Sequence, residues 1–574
     1  MGLRLIYGRA GTGKSEKCYK EISEKIKQNN KILIITPEQF SFTAEKKLME
    51  AIETEAVFNA EVVTFSRMAY RVIQEIGGRT ETNLSKCGKA MLIYSILNNC
   101  KKDLKFLGKT DENVDMAGTA ITEFKKHGIS VEQLKQETEK QSDIYLKNKL
   151  NDINMIYEKF QEQIAGKYID ETDLLTILAQ NVDKVPDFKE NLIYIDEFAG
   201  FTSQEYDIIQ KLVKIAKQVT ITICTDTIHE IKNADTDIFY SNQITINKLL
   251  QLASENDIKI EEVELEQTYR FKTPELKHLE QNLYNSKVKY FEQIPQNIKI
   301  FLAKNQYSEI EEVAKKIYKL VRDENYRYRD IAVITKNIDT YSSLARAIFD
   351  KYNIPIFIDE NRDLSQNILV QYVLSILEIF TKNWTEEAVL NYIKIGFSEI
   401  DEDDLFRLEK YCLKWGIKQN KWKKEFTYGN YEEKDKEEIA RLEEIRKQII
   451  EPLISLKNKL DENKTAEGIS RTIYNFLIEQ NIAEKIKQKQ EKLEEQGLID
   501  LSNEYQNSIQ TIIDILDEIV LVFKDDKITL DKYAQILKVG FKNSSLTKIP
   551  GTQDQVMMGD IDRSRSHKVK AIFI

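Results

Sequence analysis

The residues from Gly8 to Ser15 form a glycine-rich stretch whose spacing suits phosphate binding. They fit the pattern GxxxxGK[ST] at every fixed position, after an apolar run at Leu3–Tyr7 and before a stretch with helical periodicity. Glycines let successive backbone N–H groups point inward around a phosphate, and a helix N-terminus adds partial positive charge. Lys14 is then expected to reach the β- and γ-phosphates of ATP, and the Ser15 hydroxyl to ligate Mg²⁺. The predicted nucleotide-binding residues are Gly8, Arg9, Ala10, Gly11, Thr12, Gly13, Lys14 and Ser15.

A pair of acids follows another apolar run. Leu192–Ile195 leads directly into Asp196 and Glu197. In phosphoryl-transfer sites an acid at the end of a strand holds Mg²⁺, and a neighbouring glutamate can orient the attacking water. Asp196 and Glu197 are therefore predicted to be catalytic, with Asp196 and Ser15 as the metal ligands. Taken separately, the two motifs could also be a glycine-rich turn and a solvent-facing strand end.

The elements that would position these groups alternate along the chain. Short, apolar, β-branched runs stand between stretches with helical periodicity, which predicts parallel sheets covered on both faces by helices. The predicted strands are Leu3–Tyr7, Ile32–Thr36, Leu192–Ile195 and Val219–Cys224, then Ile298–Leu302, Ile331–Thr335 and Pro355–Ile358. The predicted fold class is α/β, with two parallel-sheet domains.

Long helical stretches interrupt both sheet domains and set the predicted boundaries. Residues 80–185 and 366–545 show helical periodicity with almost no strand signal. The predicted domains are a first at 1–275 with an insertion at about 80–185, a second at 276–365 plus 546–574, and a helical insertion domain at 366–545. An apolar, strand-like end at 569–574 leads us to expect that the second domain is incomplete.

Composition excludes several classes of protein. Of 574 residues, 41% are hydrophobic and 31% are charged, a balance typical of a soluble globular chain and not of a disordered one. The net charge of −10 excludes a surface coated with positive charge, although it permits local basic grooves. Five scattered cysteines without a CxxC pair indicate a reducing compartment, and no apolar run is long enough for a membrane span. We predict a cytoplasmic protein without a membrane partner.

Further motifs resemble those of superfamily 1 DNA helicases. TPEQFSF at Thr36–Phe42 and TFSRMAYRV at Thr64–Val72 lie where such helicases contact DNA, and LEQTYR at Leu265–Arg270 is similar to their Asn-Tyr-Arg motif. The resemblance implies a P-loop, RecA-like fold in which Arg270 is catalytic and reaches toward the γ-phosphate.

The combination of motifs resembles one family more narrowly, the B subunits of the AddAB (RexAB) helicase–nucleases. IDEFAGFTSQE at Ile195–Glu205 is similar to that family, as are Tyr326–Val333, Ile354–Asp359 and Gln555–Arg565 in the second domain. The resemblance implies a heterodimer with an AddA-type motor and nuclease subunit, acting on duplex ends and single-stranded DNA. It also implies a longer chain, whose C-terminal nuclease half would hold an iron–sulfur cluster.

Several departures from the helicase pattern affect the mechanism. A translocating motor carries a glutamine where this chain has Ala199, and another is missing after Cys224–Asp226. Asp560–Ser566 replaces a His-x-x-Lys-Gly-Leu-Glu coupling segment. We therefore expect a non-motor subunit that binds ATP–Mg²⁺ weakly at most and hydrolyses it slowly or not at all.

The resemblance also implies that the chain scans single-stranded DNA for a Chi-type signal. Such reading requires aromatic rings for stacking, amides for base edges and arginines for phosphates or guanine. The predicted DNA-binding residues are Gln39, Ser41, Phe65, Arg67, Tyr70 and Phe201. Each has a structural alternative: the aromatic residues could belong to the core, and the arginine could pair with an acid.

Three tryptophans lie in the second helical stretch. Trp415 and Trp422 stand close to four lysines, at Lys418, Lys421, Lys423 and Lys424, and Trp384 lies upstream. We interpret all three as core residues. The alternative is a stacking patch with basic neighbours.

These observations predict a non-motor, helicase-like subunit of an ATP-dependent helicase–nuclease that processes DNA double-strand breaks for recombinational repair, in a chain that lacks the nuclease domain. One alternative is a free-standing superfamily 1 DNA helicase or translocating ATPase. The other is a DNA-binding scaffold that works without nucleotide.

Overall fold

The computed structural model describes residues 2–52, 59–107, 113–229, 237–284, 287–360, 362–364, 367–429, 433–495, 499–546, 554–561 and 569–574. The strands are β1 Leu3–Gly8, β2 Lys31–Ile35, β3 Ala60–Val63, β4 Thr82–Asn83, β5 Tyr168–Ile169, β6 Asn191–Ile195, β7 Gln218–Cys224, β8 Ile260–Glu264, β9 Ile331–Thr335, β10 Ile356–Ile358, β11 Arg362–Asp363, β12 Ser545–Leu546, β13 Val556–Asp560 and β14 Ala571–Phe573.

The helices in the first half of the chain are α1 Lys14–Lys27, α2 Ser41–Ile52, α3 Phe65–Glu75, α4 Lys86–Cys100, α5 Asn113–Lys126, α6 Val131–Glu139, α7 Ile144–Ile164, α8 Glu171–Asn181, α9 Ser203–Ile215, α10 Tyr240–Glu255 and α11 Pro274–Asn282. Those in the second half are α12 Gln306–Asp323, α13 Ile338–Lys351, α14 Ile368–Thr381, α15 Glu386–Lys394, α16 Glu402–Trp415, α17 Glu433–Glu462, α18 Ala466–Glu479, α19 Ile482–Glu495, α20 Ile499–Phe523 and α21 Leu530–Lys542.

The first sheet has six parallel strands in the order β3-β2-β6-β7-β1-β8. Apolar residues of α1 and α2 pack against one face, and those of α3, α8, α9 and α10 pack against the other. This confirms the predicted α/β class. Because all six strands run in the same direction, their carboxyl ends meet at one edge, where the glycine-rich loop and the two acids follow β1 and β6.

The second sheet contains four parallel strands in the order β10-β13-β9-β14 and packs on α12 and α13. The predicted strand Ile331–Thr335 is confirmed. The predicted strand Ile298–Leu302 was wrong, because this segment has no regular secondary structure and no sheet partner among the described residues. Ile300 and Leu302 are 97% and 94% exposed. An apolar β-branched run becomes a strand only where a neighbouring backbone pairs with it.

The two long helical stretches share one apolar core. Buried residues of α4, α5 and α7 from the first stretch pack with buried residues of α14 to α21 from the second. Gly540 on α21 lies so close to α4 that a Cβ there would be 2.1 Å from the Met91 Cε. The predicted domain boundaries treat these stretches separately and stay predictions. Within the described residues, no helix combines the length and apolarity needed to cross a membrane.

Candidate nucleotide and DNA site

The glycine-rich loop between β1 and α1 has a backbone that glycine adopts most readily. Gly11 and Gly13 have φ angles of 78° and 84°, in the left-handed region where a side chain is unfavourable. Close packing adds a second requirement. A Cβ on Gly8 would lie 2.4 Å from the Leu265 carbonyl oxygen, and one on Gly11 would lie 2.5 Å from the Arg270 Cβ. Such turns ahead of a helix make backbone N–H groups converge, which suits an anion.

Lys14 begins α1, and its side chain folds back over the loop. Its Nζ donates hydrogen bonds to the carbonyl oxygens of Gly8, at 2.8 Å, and Arg9, at 2.9 Å. Burial lowers the pKa of Lys14, and the negative charge of Asp196 opposes that shift. The ammonium group therefore lies at the loop, near the strand-end carboxylate.

Asp196 directly follows β6 and is buried, 4% exposed. Its Oδ1 accepts a hydrogen bond from the Thr222 hydroxyl of β7. Its Oδ2 is buried without a hydrogen-bond partner among the described residues. Burial raises the pKa of Asp196, the charge of Glu197 raises it further, and the hydroxyls of Thr222 and Ser15 lower it. A buried carboxylate oxygen beside a serine hydroxyl is a donor set that Mg²⁺ accepts.

Glu197 leaves the strand in a left-handed conformation, with φ of 68°. Its Oε1 accepts a hydrogen bond of 3.4 Å from the Ser15 hydroxyl and lies 3.1 Å from the Lys47 Nζ of α2. The turn at Glu197 thus directs its carboxylate toward the start of α1. Lys47 links that carboxylate to α2, which begins within the TPEQFSF motif.

The segment that contains Arg270 packs against the loop through its backbone. The N–H groups of Tyr269 and Arg270 donate to the Gly11 carbonyl oxygen, at 2.9 and 3.3 Å. The Tyr269 ring lies against Gly13, since a Cβ there would be 3.6 Å from the ring. Tyr269 is 62% exposed, and the Arg270 side chain is also exposed. Arg270 is therefore next to the loop, with its guanidinium accessible.

The remaining loop side chains hold the loop in place. The Arg9 guanidinium donates to the Glu280 side chain at 2.9 Å and to the Glu280 carbonyl oxygen at 2.7 Å. It also lies 5.0 Å from the centre of the Phe239 ring. The Thr12 hydroxyl donates to the Arg9 carbonyl oxygen at 2.9 Å. Arg9 can thus contribute to anion binding through its backbone N–H group, as Ala10 would, whereas the Thr12 N–H donates to the Arg9 carbonyl oxygen at 3.4 Å.

Three of the six predicted DNA-binding residues present accessible side chains. Gln39 is exposed on a 3₁₀ turn after β2, and Tyr70 is 43% exposed on α3. Arg67 is also exposed on α3, with its guanidinium 3.4 Å from Glu45. Ser41 is half-buried, and its hydroxyl donates to the Glu38 carbonyl oxygen. These residues follow the carboxyl ends of β2 and β3.

The two predicted phenylalanines belong to an aromatic cluster at the same edge. Phe65 is 5% exposed and packs edge-on against Phe198, with ring centres 5.6 Å apart. Phe201 is half-buried, 5.1 Å from Phe198 and 5.6 Å from Tyr206. Phe65 therefore packs beneath the surface against the segment that follows β6. Its contact with DNA stays a prediction.

Sequence reasoning did not select Thr222, Lys47 or Tyr269. The contact of Thr222 with Asp196 depends on the neighbouring positions of β6 and β7, for which a single sequence gives no signal. Tyr269 lies inside the LEQTYR motif and could have been selected from it. Phe42, which is 75% exposed at the end of TPEQFSF, could have been found as well.

Among the described residues, no three His, Cys, Asp or Glu side chains form a metal cluster. Protein-bound Mg²⁺ commonly uses one or two protein groups together with phosphate oxygens and water. Ser15 and Asp196 fit that pattern. Of Asp560–Ser566, the stretch that replaces a motor's coupling segment, residues 562–566 lie outside the described part of the chain.

A phosphate loop and a strand-end acid at the carboxyl edge of a parallel sheet, with a second parallel sheet in the same chain, define a P-loop α/β protein of the RecA-like class. Residues 5–280 match the family described as "ADDB, N-terminal".

Curated relatives extend this match to the whole chain. The chain is 37% identical over 584 residues to the B subunit of the ATP-dependent helicase/deoxyribonuclease of Clostridium novyi (strain NT), covering 100% of the chain and 51% of that relative. It is 39% identical to the protein of the same name from Clostridium tetani (strain Massachusetts / E88), again over 100% of the chain and 52% of the relative. The chain is thus similar over its whole length to AddB-type B subunits, and it spans about half the length of the curated relatives it matches.

Proposed function

We propose that this chain is the helicase-like part of the B subunit of a heterodimeric, ATP-dependent helicase–nuclease that processes DNA double-strand breaks for recombinational repair. The similarity to such B subunits over the full length of the chain supports this function. The geometric observation that carries it is the meeting of Lys14, Ser15, Asp196 and Glu197 at the carboxyl edge of the first sheet.

The proposed roles follow from these positions. Lys14 and the loop N–H groups would bind the β- and γ-phosphates of ATP, and Arg270 would contact the γ-phosphate. Ser15 and Asp196 would hold Mg²⁺, which neutralises charge on phosphate oxygens when bound. Glu197 would orient water, although Ser15 and Lys47 engage its carboxylate.

The departures from the motor pattern support weak or absent hydrolysis. Ala199 lies in the loop after β6 and cannot hydrogen-bond through its side chain as a glutamine would. Nucleotide binding would then be retained more fully than coupling to movement along DNA.

Single-stranded DNA would pass along the carboxyl edge of the first sheet, where Gln39, Arg67 and Tyr70 are accessible. The search for a Chi-type signal would take place there. The partner would be an AddA-type motor and nuclease subunit, and the complex would act on duplex ends in the cytoplasm. An iron–sulfur cluster is expected only in the part of the relatives that this chain does not match.

Calorimetric titration with a non-hydrolysable ATP analogue and Mg²⁺ tests nucleotide binding. We expect the wild-type chain to bind and Lys14→Ala to lose at least about tenfold in affinity, since a buried charge-assisted contact to phosphate is lost. Lys20→Ala is the matched control, because Lys20 is exposed on the same helix. If neither wild type nor Lys14→Ala binds, the nucleotide-independent scaffold is the better interpretation.

Reconstitution with the AddA-type partner tests the complex. The full-length AddB-type protein and this partner should co-purify and degrade linear duplex DNA only with ATP. Rapid, DNA-stimulated ATP turnover or strand displacement by the present chain alone would favour a free-standing helicase.

A further inference from the structure

Residues 410–424 carry six lysines and no acidic residue, in a chain whose net charge is −10. We call these the lysine patch: Lys410, Lys414, Lys418, Lys421, Lys423 and Lys424. Lys421 is half-buried and the other five are exposed. Across the described part of the chain, none of the six forms an ion pair. Exposed lysines elsewhere, such as Lys394 with Glu409, do pair with acids.

Two aromatic rings hold part of the patch in a fixed arrangement. Trp415 and Tyr428 stack with ring centres 5.8 Å apart and planes 18° from parallel. The Lys414 Nζ lies 5.1 Å from the Trp415 ring, and the Lys421 Nζ lies 5.1 Å from the Tyr428 ring. Lys421 also donates to the Trp415 carbonyl oxygen at 2.9 Å. The ammonium groups are thus positioned by cation–π contacts.

The segment below the patch is anchored in the helical core. Trp422 is fully buried, and its carbonyl oxygen accepts a hydrogen bond of 3.0 Å from Arg446, which is itself paired with Glu443. Trp384 is 2% exposed, with the Lys423 Nζ 5.2 Å from its ring. The interpretation of Trp384 and Trp422 as core residues is therefore confirmed. Trp415 is only half-buried and packs against the surface of this core.

Favourable interaction with a helix C-terminus can explain only part of this concentration of lysines. Lys414 lies in the last turn of α16 and complements the partial negative charge of the helix C-terminus. Lys418, Lys423 and Lys424 follow the end of that helix and gain no such stabilisation. A cluster of ammonium groups that lack ion pairs among the described residues, part of it held by an accessible aromatic edge, fits a polymer of phosphodiesters.

We propose that the lysine patch binds the phosphate backbone of DNA, at a surface of the helical core separate from the edge of the first sheet. The proposal rests on the proposed function in that DNA is the polymer that the complex handles. Binding at the patch requires neither nucleotide nor the AddA-type partner, so its failure is distinguishable from failure of the nucleotide site.

Fluorescence anisotropy tests the proposal with the whole 574-residue chain and labelled DNA of about 30 nucleotides, single-stranded in one arm and duplex in the other. The variant replaces Lys418, Lys423 and Lys424 with glutamine. The control replaces Lys487, Lys492 and Lys538, which are exposed on α19 and α21, so that the change in net charge is the same. We expect the patch variant to lose about tenfold in affinity. Its slope of log K against log salt should become shallower by about 0.9 per lost contact on duplex, or about 0.7 on a single strand.

Acrylamide quenching provides a local readout, because Trp415 is more accessible than Trp384 and Trp422. DNA should protect Trp415 from quenching, and Trp415→Phe should abolish the protection. The form of DNA, single-stranded or duplex, for which the patch variant loses more affinity is the preferred polymer. Equal affinity and salt dependence for patch variant and control, or no DNA binding by the wild type, would overturn the proposal.

Discussion

At the scale of single residues, Gly11 combines a left-handed backbone with a close contact at the position of a Cβ. Its φ is 78°, and the space where a Cβ would lie is occupied by the Arg270 Cβ at 2.5 Å. Gly128 has a similar φ of 67° but no atom within 4 Å of the corresponding position. Gly128→Ala therefore isolates the backbone strain.

We expect Gly11→Ala to destabilise the chain by more than Gly128→Ala, which should cost about 1–2 kcal/mol from the left-handed backbone alone. Gly11→Ala should also abolish binding of the ATP analogue, because the loop would have to move away from Arg270. Urea unfolding measures the first effect and calorimetric titration the second. Equal losses of stability would show that the contact with Arg270 is unimportant.

The loop glycines, Lys14 and the strand-end acids could be predicted because their spacing is local in sequence. The side-chain partners could not. Thr222 contacts Asp196 and Lys47 contacts Glu197 only because separate elements meet at the carboxyl edge of the sheet. Arg9, predicted with the nucleotide-binding residues, has its guanidinium committed to Glu280 instead, a contact between residues far apart in the chain.

At the scale of elements, a buried charge cluster joins α8 to α4 and α5. Asp170 caps the N-terminus of α8 and lies 3.1 Å from the Lys89 Nζ and 2.9 Å from the Lys125 Nζ. Burial alone would raise the pKa of Asp170, but the two ammonium groups outweigh it and hold the pKa well below its usual value. Asp173, which also contacts Lys125, has its pKa raised by burial and by the charge of Asp170.

We expect Asp170→Asn to lower the free energy of unfolding by about 3–5 kcal/mol at neutral pH, because it leaves two buried ammonium groups short of a partner. The Asp170 pKa is lower in the folded chain than in the unfolded chain. The stabilisation is therefore complete above the unfolded value near 3.9 and is lost as pH falls toward the folded value.

Urea unfolding at neutral and acidic pH measures this effect. Asp183→Asn is the control, because its pair with Lys211 is about half exposed and should cost less than about 1 kcal/mol. A similar, small loss for both variants would contradict a stabilising role for the cluster.

The strands show what local patterns can and cannot predict. Buried strands such as β1, β2, β6 and β7 are continuous apolar runs and could be predicted. β3 and β8 are at the two edges of the sheet, and β8 contains Glu261, Glu262 and Glu264, so neither has the apolar signal. The opposite error occurred at Ile298–Leu302, where the composition favours a strand but no described strand pairs with it.

At the scale of the whole molecule, the shared helical core implies that the family-matched segment does not fold fully on its own. α4 is buried on most sides, and much of its cover comes from α20 and α21 near the other end of the chain. We expect a fragment of residues 1–282 to expose this apolar surface, to bind a hydrophobic dye strongly and to aggregate.

Dye fluorescence and sedimentation compare that fragment with the whole chain, which should remain monodisperse and bind little dye. A monomeric fragment that unfolds cooperatively without dye binding would refute the prediction. No sequence pattern indicated this core, because contacts such as Met91 with Gly540 join residues from distant parts of the chain.

The same contact has a consequence during protein synthesis. The ribosome completes α4 several hundred residues before it makes α21, a delay on the order of tens of seconds at typical elongation rates. Throughout that interval the nascent helices around Met91 lack their cover, so a holdase chaperone would be required until translation reaches the last helix of the bundle.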